Sequence, residues 1–156
     1  MKKILVLLLT LMLAACQMFP SGRLNSEQVA VLKKHGFSIS EAGWEFGLAA
    51  KVLFEFDSDI ITPGSRDKIE DITRDFLEVG ISGLTLEGHT DKSGDPDYNL
   101  QLSERRAAAV ADVMIGNGMP RENVIVLGLG DRKPVASNST LDGRMQNRRV
   151  TIIVAN

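Results

Sequence analysis

Arg106 is the residue whose position most demands a chemical partner. At 100° per residue, Leu102, Val110 and Val113 fall within about 40° of it on a helical wheel, so its guanidinium lies in the middle of an apolar stripe. Arg105, one position away, points to the polar side with Asp112. An inward cation costs on the order of several kcal/mol unless it is paired. Arg106 therefore needs a carboxylate, from the protein or from a ligand. The pattern alone leans toward an internal ion pair pinning helix to sheet, because structural ion pairs also point inward.

A second cluster, Glu87-Gly88-His89-Thr90-Asp91, runs from a strand end into a loop containing Gly94. Function gathers on loops held by rigid elements. Asp91 and Arg106 together suit a zwitterion, with Asp91 taking an ammonium and Arg106 taking a carboxylate in a bidentate fork. Glu87, His89 and Asp91 alternate along one strand and share a face, but without a second histidine nearby this is a weak metal pattern. A hydrogen-bonded loop is the expectation, with no metal and no cofactor. A third cluster holds Asp142, Gly143, Arg144, Asn147, Arg148 and Arg149. It reads as a solvated turn, or as three arginines gathered for an anion. No Gly-x-Ser-x-Gly elbow occurs, and no activated nucleophile or acid–base pair stands out, so a binding protein is expected rather than an enzyme.

These side chains need a frame. Val52, Phe54 and Phe56 alternate as a strand. Thr62-Pro63 opens a helix as N-cap and first-turn proline, and Ile69, Ile72, Phe76 and Val79 form its buried stripe. A second strand is expected from Ile81 to Glu87. A helix follows from about Asn99 to Asn117, although Asp95-Pro96 also forms a cap pair. Val124, Val126 and Leu127 make a third strand, and Val150 to Val154 a last one. The order strand–helix–strand–helix–strand–strand indicates α+β or an α/β sandwich, with helices on one face of a sheet.

Ahead of this frame, Asn25 and Gln28 stand in capping-box spacing, and Gly36 would stop the helix they begin. Phe37/Ile39 and Trp44/Phe46/Leu48 alternate on either side of Glu41-Ala42-Gly43, which suggests a hairpin or an extended arm over residues 26–49. Val31, Leu32, Phe37, Trp44 and Phe46 are expected either to form an exposed partner-binding surface or to fold back on the domain.

Acidic residues number 20 against 18 basic ones, so the basic footprint of a nucleic-acid binder is missing. The one cysteine, Cys16, follows Lys2-Lys3, the apolar run Ile4 to Leu13, and Ala14-Ala15. That order is a secretory signal, residues 1–15, ending in a lipobox. The apolar run is too short for a bilayer span of about 20 residues. Acylation of Cys16 would leave a tether over residues 16–25, and two acyl chains anchor stably where one is marginal.

Four separated motifs resemble the OmpA-like peptidoglycan-associated domain. They are Val52-Leu53-Phe54-Glu55-Phe56-Asp57 with Thr62-Pro63; Leu86-Glu87-Gly88-His89-Thr90-Asp91 with Gly94; Tyr98-Asn99-x-x-Leu102-Ser103-x-x-Arg106-Ala107; and Gly128-x-Gly130 with Pro134-Val135-Ala136, Asn138 and Gly143-Arg144-x-x-Asn147-Arg148-Arg149-Val150. The resemblance covers roughly residues 50–154 and implies a domain over residues 50–156. It implies a mixed sheet with helices on one face. It also implies non-covalent grip on the diaminopimelate residue of the peptidoglycan stem peptide. Asp91 and Arg106 would be the principal contacts, and Asp57, Asn99 and Arg148 match further contact positions. The front segment, with Gly43-Trp44-Glu45-Phe46-Gly47, is similar to outer-membrane lipoproteins of three-part cyclic di-GMP signalling systems. Such lipoproteins sequester a periplasmic repressor and so free an inner-membrane diguanylate cyclase. Gln17, where an Asp would retain the protein in the inner membrane, implies outer-membrane sorting. Monomer and homodimer both stay open.

Overall fold

A computed structural model describes residues 23–55 and 58–156. The signal segment, Cys16 with most of the tether, and Asp57 lie outside the described residues. The order is α1 (Ser26–Lys34), β1 (Ser38–Ser40), β2 (Gly43–Ala49), α2 (Ala50–Leu53), α3 (Pro63–Glu78), β3 (Leu84–His89), α4 (Pro96–Gly116), a 3-10 turn (Arg121–Asn123), β4 (Val124–Gly128), α5 (Leu141–Asn147) and β5 (Arg149–Val154). The strands form one sheet in the order β1-β2-β5-β3-β4. Only β3 and β4 are parallel, as a right-sized crossover helix between them allows; the other pairs are antiparallel.

Alternation explains the layering. Phe46, Ile152, Leu86 and Val126 stand in one cross-strand row, flanked by Val150, Val154, Leu84 and Leu48 on the same face. That face is covered, and it meets Ile69, Ile72 and Phe76 of α3 and Val110 and Met114 of α4 in the core. The opposite face carries Thr85, Glu87, Ile125, Leu127 and Ile153, with Ile125 half exposed. Helices on one face of a mixed sheet is thus the observed architecture.

The segment after Lys51 is not a strand. Ala50 to Leu53 make one helical turn, and Phe54 only bridges Ile61. Adjacent Leu53 and Phe54 are both buried while Val52 is exposed, which a half-buried strand cannot accommodate. The Val52 carbonyl accepts the hydroxyls of Thr62 (3.1 Å) and Ser65 (2.8 Å), so this turn docks the start of α3. Two boundaries also move. The Asp95 side chain caps Tyr98 N at 2.9 Å, so α4 starts at Pro96 rather than Asn99. β3 begins at Leu84, three residues after Ile81.

The front residues belong to the domain. Both capping-box bonds of Asn25 and Gln28 are present at 2.9 Å, and Gly36 leaves α1 at φ 86°. β2 pairs along β5 from Trp44↔Val154 to Ala49↔Arg149. Leu32, Phe37 and Trp44 are buried in the core, and Val31 and Phe46 are partly buried against it. Phe37 packs between Phe46 and Phe76, with ring centroids 5.3 and 5.5 Å away. Of the two alternatives, the segment here folds back on its own domain, with three of the five side chains buried and Val31 and Phe46 partly so. A polar contact adds to the seam. Lys34 Nζ and His35 Nε2 both lie 2.7 Å from Asp75 Oδ2 on α3, and their hydrogen bonds hold the Asp75 carboxyl below the usual range.

Candidate functional site

Asp91 lies two residues beyond the end of β3, and α4 crosses beside that end. Close approach of helix to sheet requires Gly88. A Cβ there would stand 1.8 Å from the Ser103 carbonyl oxygen. Ser103 in turn accepts Gly130 N at 3.0 Å through its hydroxyl, and Thr90 N donates to Gly130 O at 2.9 Å. The Asp91 loop is therefore fixed against both α4 and the loop after β4.

Asp91 is 6% exposed. Its Oδ1 accepts Ser93 N at 2.7 Å, and its Oδ2 forms an ion pair with Arg148 Nη1. Burial acts to raise its pKa; the Ser93 amide and the Arg148 guanidinium outweigh it and leave the carboxyl below the usual range. Asp91 is thus an ionised acceptor, already oriented, at the mouth of the sheet. Asn99, on the first turn of α4, donates from Nδ2 to Ser93 O at 2.8 Å and so braces the same loop.

Arg106 is on the inward face of α4, 9% exposed, as its helical spacing requires. It shares that face with Asn99, seven residues or about 10 Å earlier along the axis. Its Nε and Nη2 donate to Ser58 O at 3.2 and 3.1 Å, and the guanidinium lies over the Phe54 ring at 5.3 Å. The sequence pattern asked for a carboxylate; the main-chain carbonyl of Ser58, in the α2–α3 loop, also serves as an acceptor. Nothing in the sequence marks Ser58 for this, because a backbone acceptor leaves no residue-type signal.

The three arginines of the third cluster do not converge. Residues 141–147 form α5, capped by Thr140 Oγ1, which accepts Gly143 N at 3.0 Å, rather than a solvated turn. Arg144 donates to Asn138 O at 3.0 Å, Arg148 pairs with Asp91, and Arg149 reaches Lys133 O at 3.3 Å. Asn147, fully buried, holds residues 135–138: its Oδ1 accepts Val135 N and Ala136 N at 2.8 and 3.0 Å, and its Nδ2 donates to Ala136 O at 2.9 Å. Asn138 Oδ1 accepts both Asn147 Nδ2 (3.0 Å) and Lys92 N (3.1 Å). This amide chain couples α5 to the Asp91 loop.

Glu87, His89 and Asp91 do not form a metal centre. Glu87 Oε1 accepts Lys133 Nζ at 3.0 Å, and Asp91 turns to Arg148. No group of three or more such ligands occurs among the described residues. His89 is 1% exposed and its pKa falls from 6.5 to about 3, through burial first and then the nearby Arg149 and Lys133 charges. Its folded pKa lies below its unfolded one, so the unfolded state binds the extra proton between those values and stability falls as pH drops. From pH 7 to pH 5 His89 should cost the fold about 2 kcal/mol. Urea unfolding at the two pH values, with His89→Gln alongside, checks this; the variant should have the flatter pH dependence.

The OmpA family model matches residues 53–148, which include Asp91, Asn99, Arg106 and Arg148. The chain belongs to the OmpA family. Beyond that domain, it is 51% identical over 94% of its length to the outer-membrane lipoprotein YfiB of Pseudomonas aeruginosa, covering 88% of that protein. It is 37% identical over 93% of its length to the putative lipoprotein YfiB of Escherichia coli, covering 91% of it. Among solved structures, the peptidoglycan-associated lipoprotein of Burkholderia pseudomallei matches with TM-score 0.60 at 25% identity, over 69% of this chain and 87% of that one. The YfiB matches extend through the front segment that the OmpA model leaves out. With such relatives, this OmpA-family chain is placed at the outer membrane as a lipoprotein. No helix among the described residues is long and apolar enough to cross a membrane.

Proposed function

We propose that this OmpA-family lipoprotein, anchored by acyl chains on Cys16, binds the peptidoglycan stem peptide without cleaving it. Asp91 takes the ammonium of the diaminopimelate side chain and Arg106 takes its carboxylate. Asn99 and Arg148 hold Asp91 and its loop in place, and Asp57 adds a contact. The observation that carries this reading is a pair of inward charges: an ionised, pre-oriented carboxylate beside the start of α4, and a guanidinium on the inward face of the same helix. Because both charges are already desolvated and braced, the ligand alone must be ordered on binding.

The likeness to YfiB supports a regulatory layer on this grip: sequestration of a YfiR-like periplasmic repressor, which releases an inner-membrane diguanylate cyclase. The burial of Leu32, Phe37 and Trp44 favours a second reading, a purely structural tether between outer membrane and wall. In a regulator, those side chains become available only when the front segment leaves the domain. Deleting residues 26–48 is not a clean test, since it strips β2 from β5. The cleaner test joins two readouts on the intact chain. Co-sedimentation with purified sacculi is expected for the wild type. Deletion of the gene should lower cyclic di-GMP if the regulatory reading holds; unchanged levels with intact sacculus binding leave the tether.

A further inference from the structure

A groove lies at the far end of the sheet from Asp91. It holds about 450 Å³ and is lined chiefly by Leu24, Ile81, Thr85, Ile125, Ile153 and Val154, with no Asp, Glu, Lys or Arg in its wall. It opens on the sheet face that no helix covers, where Ile125 is 50% exposed. β3 spans the distance between the two ends: Leu84 and Thr85 are at the groove, and Asp91 is seven residues on, about 23 Å along an extended chain. One end therefore presents a charged site and the other a largely apolar cleft without charged side chains.

The chain itself indicates what fills the cleft. Leu24, a wall residue, comes directly after Arg23, the first described residue. Just ahead is Cys16-Gln17-Met18-Phe19-Pro20-Ser21-Gly22, which contains two large apolar residues and no charge. Phe19 is five residues from Leu24, so it can lie anywhere within about 18 Å of it. The adjoining Pro20-Ser21-Gly22 is turn-forming, which suits a chain doubling back. We propose that Met18 and Phe19 occupy this groove and cover Ile125, which is half exposed beside the buried Ile153. Burying two such side chains offsets the ordering of a short segment already joined to the wall of its own binding site.

A consequence for the membrane follows, and it rests on the reading of Cys16 as the lipid anchor. With Met18 and Phe19 seated, only Gln17 separates the acylated residue from the domain, and the charged end points away from the bilayer. With them released, the seven residue steps from Cys16 to Arg23 extend by at most about 25 Å. The groove would then set the stand-off between membrane and wall site.

The test uses the full chain in the cell envelope, with Ile125→Cys as a reporter. Maleimide labelling of that thiol should be about tenfold slower than in the same chain carrying Phe19→Asp, because a seated segment exposes it only on opening. A short bis-maleimide should join Met18→Cys to Ile125→Cys within one chain, and Phe19→Asp should abolish the link. Equal labelling with and without Phe19→Asp overturns the proposal, as does a link between two chains, which would assign the groove to a second copy. Linking in the Ile125→Cys single variant would reveal a free Cys16 thiol; that outcome refutes the anchor reading and, by placing Cys16 at the groove, still supports docking.

Discussion

Gly88→Ala is expected to cost about 4 kcal/mol or more and to leave little of the chain folded. The cost is one of space, since Gly88 needs no left-handed backbone. The added carbon would meet Ser103 O at 1.8 Å and Ser103 C at 2.6 Å, both main-chain atoms in the middle of α4. No rotamer change relieves such a clash; either α4 lifts from β3 or β3 bends. α4 also carries Asn99 and Arg106, so whatever stays folded should have lost the site. Two other glycines set the scale. Gly64→Ala in α3 meets nothing within 4 Å and should be neutral or stabilising by up to about 1 kcal/mol. Gly94→Ala also meets nothing, but φ is 86° there, which should cost about 1–2 kcal/mol. Urea denaturation of the three variants checks the order. A Gly88→Ala protein within 1 kcal/mol of wild type, by the same scale, would mean that α4 does not lie where described.

The second large effect concerns the ligand. Arg106→Ala and Asp91→Ala should each weaken binding of a diaminopimelate-containing muropeptide by about 100-fold or more, as expected when one partner of a buried charge pair is removed. Arg106→Lys keeps the charge but loses the planar fork, and should recover only part of the loss. Arg106 also supports the α2–α3 loop through Ser58 O, so its variants need a stability measurement beside the titration. Asp91→Asn keeps the shape and leaves Arg148 without its ion-pair partner at Asp91. The pH dependence has a definite sign. The Asp91 carboxyl is held below its ordinary value, so its charge, and the stability and binding that depend on it, persist above that lowered pKa and are lost as pH falls through it. Weakening of binding should therefore begin below the range of an ordinary aspartate.

Local chemistry was legible wherever a residue acts through its own sequence neighbours. The capping box of Asn25 and Gln28, the Thr62-Pro63 helix start and the inward position of Arg106 all follow from spacing, and all stand in the structure. Features that depend on distant partners were not legible. Val52, Phe54 and Phe56 have the spacing of a strand, yet Ala50 N is drawn to Arg148 O at 2.9 Å, and the chain turns there into α2. Leu32, Phe37 and Trp44 look like a sticky surface until Phe76 and β5 are placed against them. The pairing of Arg148 with Asp91 spans 57 residues, and no local pattern announces it. The motif resemblance supplied Arg148 as a contact position, whereas the structure shows which side chain it holds.

The central claim is a clamp for a zwitterion, and it is tested most directly by calorimetric titration of the intact mature chain with two muropeptides. One carries diaminopimelate at the third stem position; the other carries lysine, which has the ammonium but lacks the second carboxylate. Binding of the diaminopimelate form alone, abolished by Asp91→Ala and by Arg106→Ala in proteins that stay folded, is the predicted result. Equal binding of both forms, or binding that survives Arg106→Ala, would contradict the clamp and return Arg106 to a structural role beneath the α2–α3 loop.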